Sequence, residues 1–124
     1  MPVSLAVALG GALGVSARYG LDRVIERRSS ALFPWSTFTI NVTGCLLIGV
    51  IVGALVDRHH TPAWLRVGLV MGVLGGYTTF STFAQETLGL LDARDFAVAV
   101  AYAGGSVALG VTAAWIGTHV GHAL

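Results

Sequence analysis

Charged side chains leave four stretches of this chain free: Met1 to Ala17, Ser29 to Val56, Val67 to Gln85 and Phe96 to Leu124. A helix needs about 20 mostly apolar residues to cross a bilayer core of roughly 30 Å, so each stretch holds one crossing. The first is short alone and must use part of Arg18 to Leu21. The pattern predicts a first helix from Val3 to about Leu21, ended by the charged turn Asp22, Arg23, Glu26, Arg27 and Arg28. Pro34 suits the first turn of a second helix that runs to about Val56 and stops at Asp57, Arg58, His59 and His60. Thr61 and Pro62 read as a cap and first-turn proline for a third helix reaching about Leu91. Asp92, Arg94 and Asp95 form the last turn before a fourth helix, Phe96 to about His119. The expectation is an all-α, multi-pass membrane protein, with residues 1–124 forming a single four-helix transmembrane domain. The first cation, Arg18, follows the leading apolar stretch instead of preceding it, which favours a mature helix over a secretory signal.

Composition narrows the class. Hydrophobic residues make up 55% and charged ones 10% of the chain, against roughly 25% charged in a soluble domain. A formal net charge of +1 gives no electrostatic footprint for nucleic acid. The arginines are nearly balanced across the membrane. Arg18, Arg23, Arg27, Arg28 and Arg94 fall on one side, and Arg58 and Arg66 on the other, a mild preference for both termini outside. So small a bias also lets one chain insert both ways round. Cys45 is alone, so no intrachain disulfide forms, and it reads as a small packing residue.

Seventeen glycines need a reason in so short a chain. Gly10 and Gly14, Gly49 and Gly53, Gly68, Gly72 and Gly76, and Gly117 and Gly121 are spaced by four, which clears one side of a helix for close approach and predicts a compact bundle. The third helix departs from plain packing. Its middle reads Gly75, Gly76, Tyr77, Thr78, Thr79, Phe80, Ser81, Thr82, Phe83, with hydroxyls at a depth where lipid demands an apolar helix. A break is expected there, since irregular backbone at that depth is tolerated where protein or a water-filled cavity surrounds it, and such breaks expose carbonyls to cations. The competing reading is a continuous helix whose hydroxyls bond back to the preceding turn.

An enzyme would need a nucleophile with its base, or a metal cage. The histidines all lie near helix ends: His59 beside His60, and His119 three residues before His122, a spacing that allows a shared ligand but more often marks interfacial, solvated side chains. No catalytic pair lies in the interior, so the chain is not read as an enzyme. The interior instead holds neutral hydrogen-bonding residues in rows: Thr37 and Asn41, then Thr78, Thr82 and Glu86, then Tyr102 and Ser106, each spaced by four and so on one helical face. Such donors can replace part of the hydration shell of a small anion without a fixed charge to trap it, or can bond packed helices together. Phe80 and Phe83 sit beside the expected break, and the positive edge of an aromatic ring can attract an anion while excluding water.

The run Gly75-Gly76-Tyr77-Thr78-Thr79-Phe80-Ser81-Thr82-Phe83-Ala84-Gln85-Glu86 resembles the signature of the Fluc fluoride channels, also called the CrcB family. Two further stretches are similar and in order: Gly10 to Gly14 leading to Arg18-Tyr19, and Thr37 to Gly44 continuing to Ile48-Gly49. The resemblance covers essentially the whole chain. It implies an antiparallel, dual-topology homodimer of four-helix subunits in the cell inner membrane or plasma membrane, with two fluoride pores along the interface. It implies a passive exit for cytoplasmic fluoride, released there from HF, and hence fluoride resistance. By the same resemblance Phe80 and Phe83 present ring edges to fluoride, Asn41 is the pore asparagine with Thr37 one turn before it, and Arg18 ends the first helix. Ser81, Thr82 and Glu86 follow the break, and Tyr102 with Ser106 form a polar track on the fourth helix. Gly75 and Thr78 would hold a central structural Na+ through backbone carbonyls of both subunits. Continued by fours, the fourth-helix track meets Gly110 and Ala114, which have no side-chain donor.

Two rival readings remain at this stage. A proton-coupled exporter resembling the small multidrug transporters would have to use Glu86, because the first helix has no acid before Asp22. A non-transporting subunit would use its glycines only to pack into a larger complex.

Overall fold

Lipid offers no partner to a backbone amide, so a chain this apolar must satisfy its N–H and C=O groups inside the protein, and the spans are helical except at one short interruption in the third. In a computed structural model, residues 1–58 and 60–124 are described, and His59 lies outside the described residues. Helix α1 is Val3–Arg28. Helix α2 is Trp35–Ile51 and continues through Val52–Val56 in widened turns, the Asp57 N–H reaching the Val52 carbonyl at 3.1 Å. Helix α3 covers residues 63–77 and is widened over Gly68–Leu74. Thr78 and Thr79 are extended, with φ/ψ of −83°/160° and −150°/113°. Helix α4 is Phe80–Asp92 and α5 is Phe96–Ala123. Taken as the spans 3–28, 35–56, 63–92 and 96–123, four helical segments are long and apolar enough to cross a membrane.

Boundaries differ from the expected ones at four places, the second helix starting at Trp35 with Pro34 before it and not in its first turn. The first helix does not end at Leu21 but runs through the charged turn to Arg28, so charge marks where lipid ends and not where the helix does. Arg18 accordingly lies well inside α1 and not at its end. Pro62 is the extended residue before the helix, with Ala63 its first member and no side-chain cap from Thr61. The fourth helix continues past His119 to Ala123. Between α4 and α5, Arg94 takes a left-handed φ of 60° and closes a tight reversal.

Glycine seams join the helices in two pairs. Along α1 and α3, a Cβ on Gly14 would overlap the Val73 carbonyl, and one on Gly76 would lie 2.8 Å from the Gly11 oxygen. Along α2 and α5, a Cβ on Gly49, Gly117 or Gly121 would overlap the backbone of Ala114, Leu46 or Val50. All the four-spaced glycines of the sequence sit in these two seams, where backbone meets backbone. Little else is buried within one chain: Ile40 and Tyr102 are sealed, while Leu13, Met71, Val100, Val111 and Trp115 face outward.

Candidate functional site

Where the backbone gives up its helix, α2 takes over the hydrogen bonding. The Asn41 side chain pairs with extended Thr79 on both sides, its Nδ2 donating to the Thr79 carbonyl at 3.0 Å and its Oδ1 accepting the Thr79 N–H at 2.9 Å. Thr79 Oγ1 in turn accepts the Thr82 N–H and so caps α4. These substitutions release the carbonyls of Gly75 and Thr78, whose helical donors four residues on, Thr79 and Thr82, are used elsewhere. Arg18 reaches from α1 and donates to the Thr78 carbonyl at 3.3 Å. Tyr77 shares a hydrogen bond of 2.8 Å with Thr43, and Gly44 leaves the space that the Tyr77 ring and the Thr78 methyl occupy.

Glu86 is the second centre. Its Oε1 accepts the Thr37 hydroxyl at 2.8 Å and its Oε2 accepts the Tyr102 hydroxyl at 2.6 Å, joining α2, α4 and α5. Among the described residues no cation pairs with it, and the one ion pair joins His122 to Asp57 at 2.7 Å, both half exposed. A cavity of about 340 Å³ under the α1–α2 loop, walled by Leu32, Phe33 and Trp35 as well as by Glu26, Ser36 and Thr37, reaches this carboxylate from outside.

A line of aromatic rings connects the two centres. Phe33 packs edge-on to Tyr102 at 5.4 Å, Tyr102 meets Phe83 at 5.1 Å, and Phe83 meets Phe80 at 5.7 Å. Phe80 is 79% exposed, facing outward as Met71, Val100 and Trp115 do. It and Phe83 border an open cavity of about 360 Å³, lined also by Asn41, Gly75, Thr78, Thr79 and Ser106. The Ser106 hydroxyl is buried at this wall without a partner.

The structure therefore gathers Asn41, Gly75, Thr78, Phe80, Phe83 and Ser106 along one cavity, and Thr37 and Glu86 along the other, with Tyr102 bonded to Glu86 from the sealed interior behind it. Ser81 and Thr82 are exposed in the first turn of α4. The row Thr78, Thr82, Glu86 does not lie on one helical face, because Thr78 is extended and its hydroxyl bonds back to Leu74 at 2.9 Å. Beyond Ser106 the fourth-helix track turns into packing: Gly110 makes room for Cys45, and the Ala114 carbonyl lies against Gly49. His119 bonds to the Trp115 carbonyl and His122 to Asp57, so they do not converge, and among the described residues no group of three metal-ligating side chains exists. Sequence reading missed two bridges, Thr43 to Tyr77 and Asp22 to Ser36; no spacing signal marks partners 34 or 14 residues apart.

Residues 5–118 match the family model described as CrcB-like protein, Camphor Resistance (CrcB). A protein of Acidobacterium capsulatum named fluoride-specific ion channel FluC is 49% identical over 118 residues, covering 94% of this chain and 93% of that one. Proteins of the same name from Nitrobacter winogradskyi and Nitratidesulfovibrio vulgaris are 47% and 42% identical, covering 94% and 93% of this chain and 92% and 93% of theirs. A match over nearly the full span, joined to an α3–α4 interruption held by Asn41, identifies the chain as a member of the CrcB family.

Proposed function

We propose that this protein is a fluoride-selective channel, not an enzyme, that lets cytoplasmic fluoride leave passively down its electrochemical gradient and so relieves fluoride toxicity. Its relatives' shared name supports the reading, and the observation that carries it is the exposed Phe80 ring beside Phe83 on an open cavity that also holds hydroxyl and amide donors. Fluoride is strongly hydrated, so a pore must replace water with donors that do not trap the ion. Asn41 uses one amide proton on Thr79 and keeps a second. Ser106 brings an unpaired hydroxyl, and Thr82, which accepts from Thr79, keeps its own proton free. Ring edges of Phe80 and Phe83 supply weak positive potential and exclude water.

One chain walls this cavity on one side only, and we read the open side as closed by a second copy in an antiparallel, dual-topology homodimer with two pores. The large apolar residues left outward, and arginines nearly balanced between the two faces, support it. The released carbonyls of Gly75 and Thr78 fit a backbone site for Na+ between the copies, and each oxygen has a second lone pair, so the Arg18 contact leaves Thr78 able to take part. When bound, Na+ would supply a fixed cross-link between the two interrupted helices.

A proton-coupled exporter would ask Glu86 to carry a proton. Here both of its oxygens accept hydroxyl protons, an arrangement suited to an acceptor held in place. A subunit without transport activity would cover Phe80 by packing, so the flux measurement and not the exposure separates it from a channel. Liposomes containing only this protein, loaded with fluoride or chloride, should release fluoride and retain chloride. Phe80→Ile or Phe83→Ile should abolish most of that release. Equal fluoride flux with and without protein would refute the proposal.

A further inference from the structure

Helix α2 begins without a cap of its own. Pro34 precedes it with no side-chain bond, its first turn has no acidic residue, and yet Ser36 and Thr37 in that turn are buried. The missing partner comes from α1, whose Asp22 carboxylate accepts the Ser36 hydroxyl. Next to Ser36, Thr37 donates to Glu86, and Tyr102 donates to the other oxygen of the same carboxylate. One band of hydrogen bonds thus crosses the bundle through all four of its spans, from Asp22 to Ser36 and from Thr37 through Glu86 to Tyr102.

Asp22 is the end of this band that the proposed pore chemistry does not use. It is half-buried and, among the described residues, forms no ion pair. It stands one turn after Arg18 on the same face of α1, so α1 reaches the helix interruption with one side chain and the start of α2 with the next. A carboxylate beside the first turn of a helix is also favoured by the helix dipole. Adjacent residues on a helix are about 100° apart, so a first turn free to rotate would carry the Thr37 hydroxyl off Glu86.

We infer that Asp22 is a positioning residue for the pore: by accepting the Ser36 hydroxyl it fixes the rotation of the first turn of α2, and with it the Thr37 hydroxyl on Glu86 at the mouth of the polar cavity. This rests on the channel reading above. Initial fluoride efflux from liposomes, at equal amounts of protein eluting as one folded species, tests it in wild type, Asp22→Ala, Asp22→Asn and Ser36→Ala, and again with each change combined with Thr37→Val. Loss of one hydrogen bond to a charged group predicts roughly tenfold slower efflux for Asp22→Ala and for Ser36→Ala. Asp22→Asn keeps an acceptor oxygen and should stay within about twofold of wild type. In the Thr37→Val background, Asp22→Ala should add less than about a twofold change, because both act through one contact. If Asp22→Ala does not fold, Ser36→Ala carries the same cycle. Wild-type efflux in Asp22→Ala, effects that multiply with Thr37→Val, or Asp22→Asn as slow as Asp22→Ala would each overturn the inference while leaving the channel intact. A wild-type protein that passes no fluoride overturns the channel, and this role with it.

Discussion

Replacing Gly49 by Ala adds one methyl group, and the structure fixes where it goes. It would point from α2 into α5 and lie 2.8 Å from the Thr118 nitrogen and 3.0 Å from the Ala114 carbonyl carbon, with the Ala114 oxygen closer still. Comfortable contact for a Cβ begins near 3.4 Å, so the helices must part by roughly 1 Å along this seam to relieve the approach to the Ala114 oxygen. A gap of that size forfeits a quarter to a half of each dispersion well along the contact, and the seam is long, since Gly53, Gly117 and Gly121 share it. The expected destabilisation is about 1–3 kcal/mol. Gly20→Ala is the matched control: nothing lies within 4 Å of its Cβ position, and relief of glycine's backbone freedom in a helix should raise stability by about 0.5–1 kcal/mol. Unfolding in detergent at fixed protein concentration should therefore separate two chemically identical substitutions by about 1.5–4 kcal/mol, with opposite signs. Shifts of the same sign, or within about 0.5 kcal/mol of each other, would refute the claim that backbone contact holds this seam.

Three more outcomes follow from named contacts. Asn41→Leu strands the N–H and C=O of Thr79 at membrane depth and should cost roughly 2–6 kcal/mol in the same unfolding assay, about 1–3 for each orphaned group. Tyr102→Phe and Thr37→Val each remove a hydroxyl from Glu86 at a buried position, and each should cost about 1.5–3 kcal/mol in the same assay. His122→Ala breaks an ion pair half exposed to solvent and should change stability by less than about 1 kcal/mol, with any effect fading at high salt.

The crossings were legible because a bilayer imposes one demand on every residue of a span, and charge-free windows report it directly. Helix ends were less legible: Asp22, Arg23, Glu26, Arg27 and Arg28 are charged, but nothing in them stops a helix, and only tertiary contact such as Asp22 with Ser36 shows that the turn is used. The run from Gly75 to Phe83 stood out by composition, and the extended pair Thr78 and Thr79 falls inside it. What the sequence could not assign was the occupation of each donor. Asn41 and Thr37 looked like one row, yet one clamps Thr79 and the other holds Glu86, partners 38 and 49 residues away. Thr78 looked like a pore hydroxyl and spends its proton on Leu74.

The widened turns of Gly68–Leu74 have a geometric consequence for the seam they belong to. In an ordinary α-helix of 3.6 residues per turn, a row of residues spaced by four winds steadily around the axis, so a long stripe leaves its neighbour unless both helices coil. Widened turns need more residues to come round, and a four-residue step then falls short of a full turn instead of overshooting it. The two drifts have opposite signs and offset each other where widened and ordinary turns adjoin, and Gly68 and Gly72 stay against Ala6, Val7 and Gly10 of α1. Deleting one residue from this stretch would restore the tighter winding and turn everything before it by roughly a quarter of a revolution relative to Thr78. The width of these turns thus helps to hold the longer row of Gly68, Gly72 and Gly76 against α1.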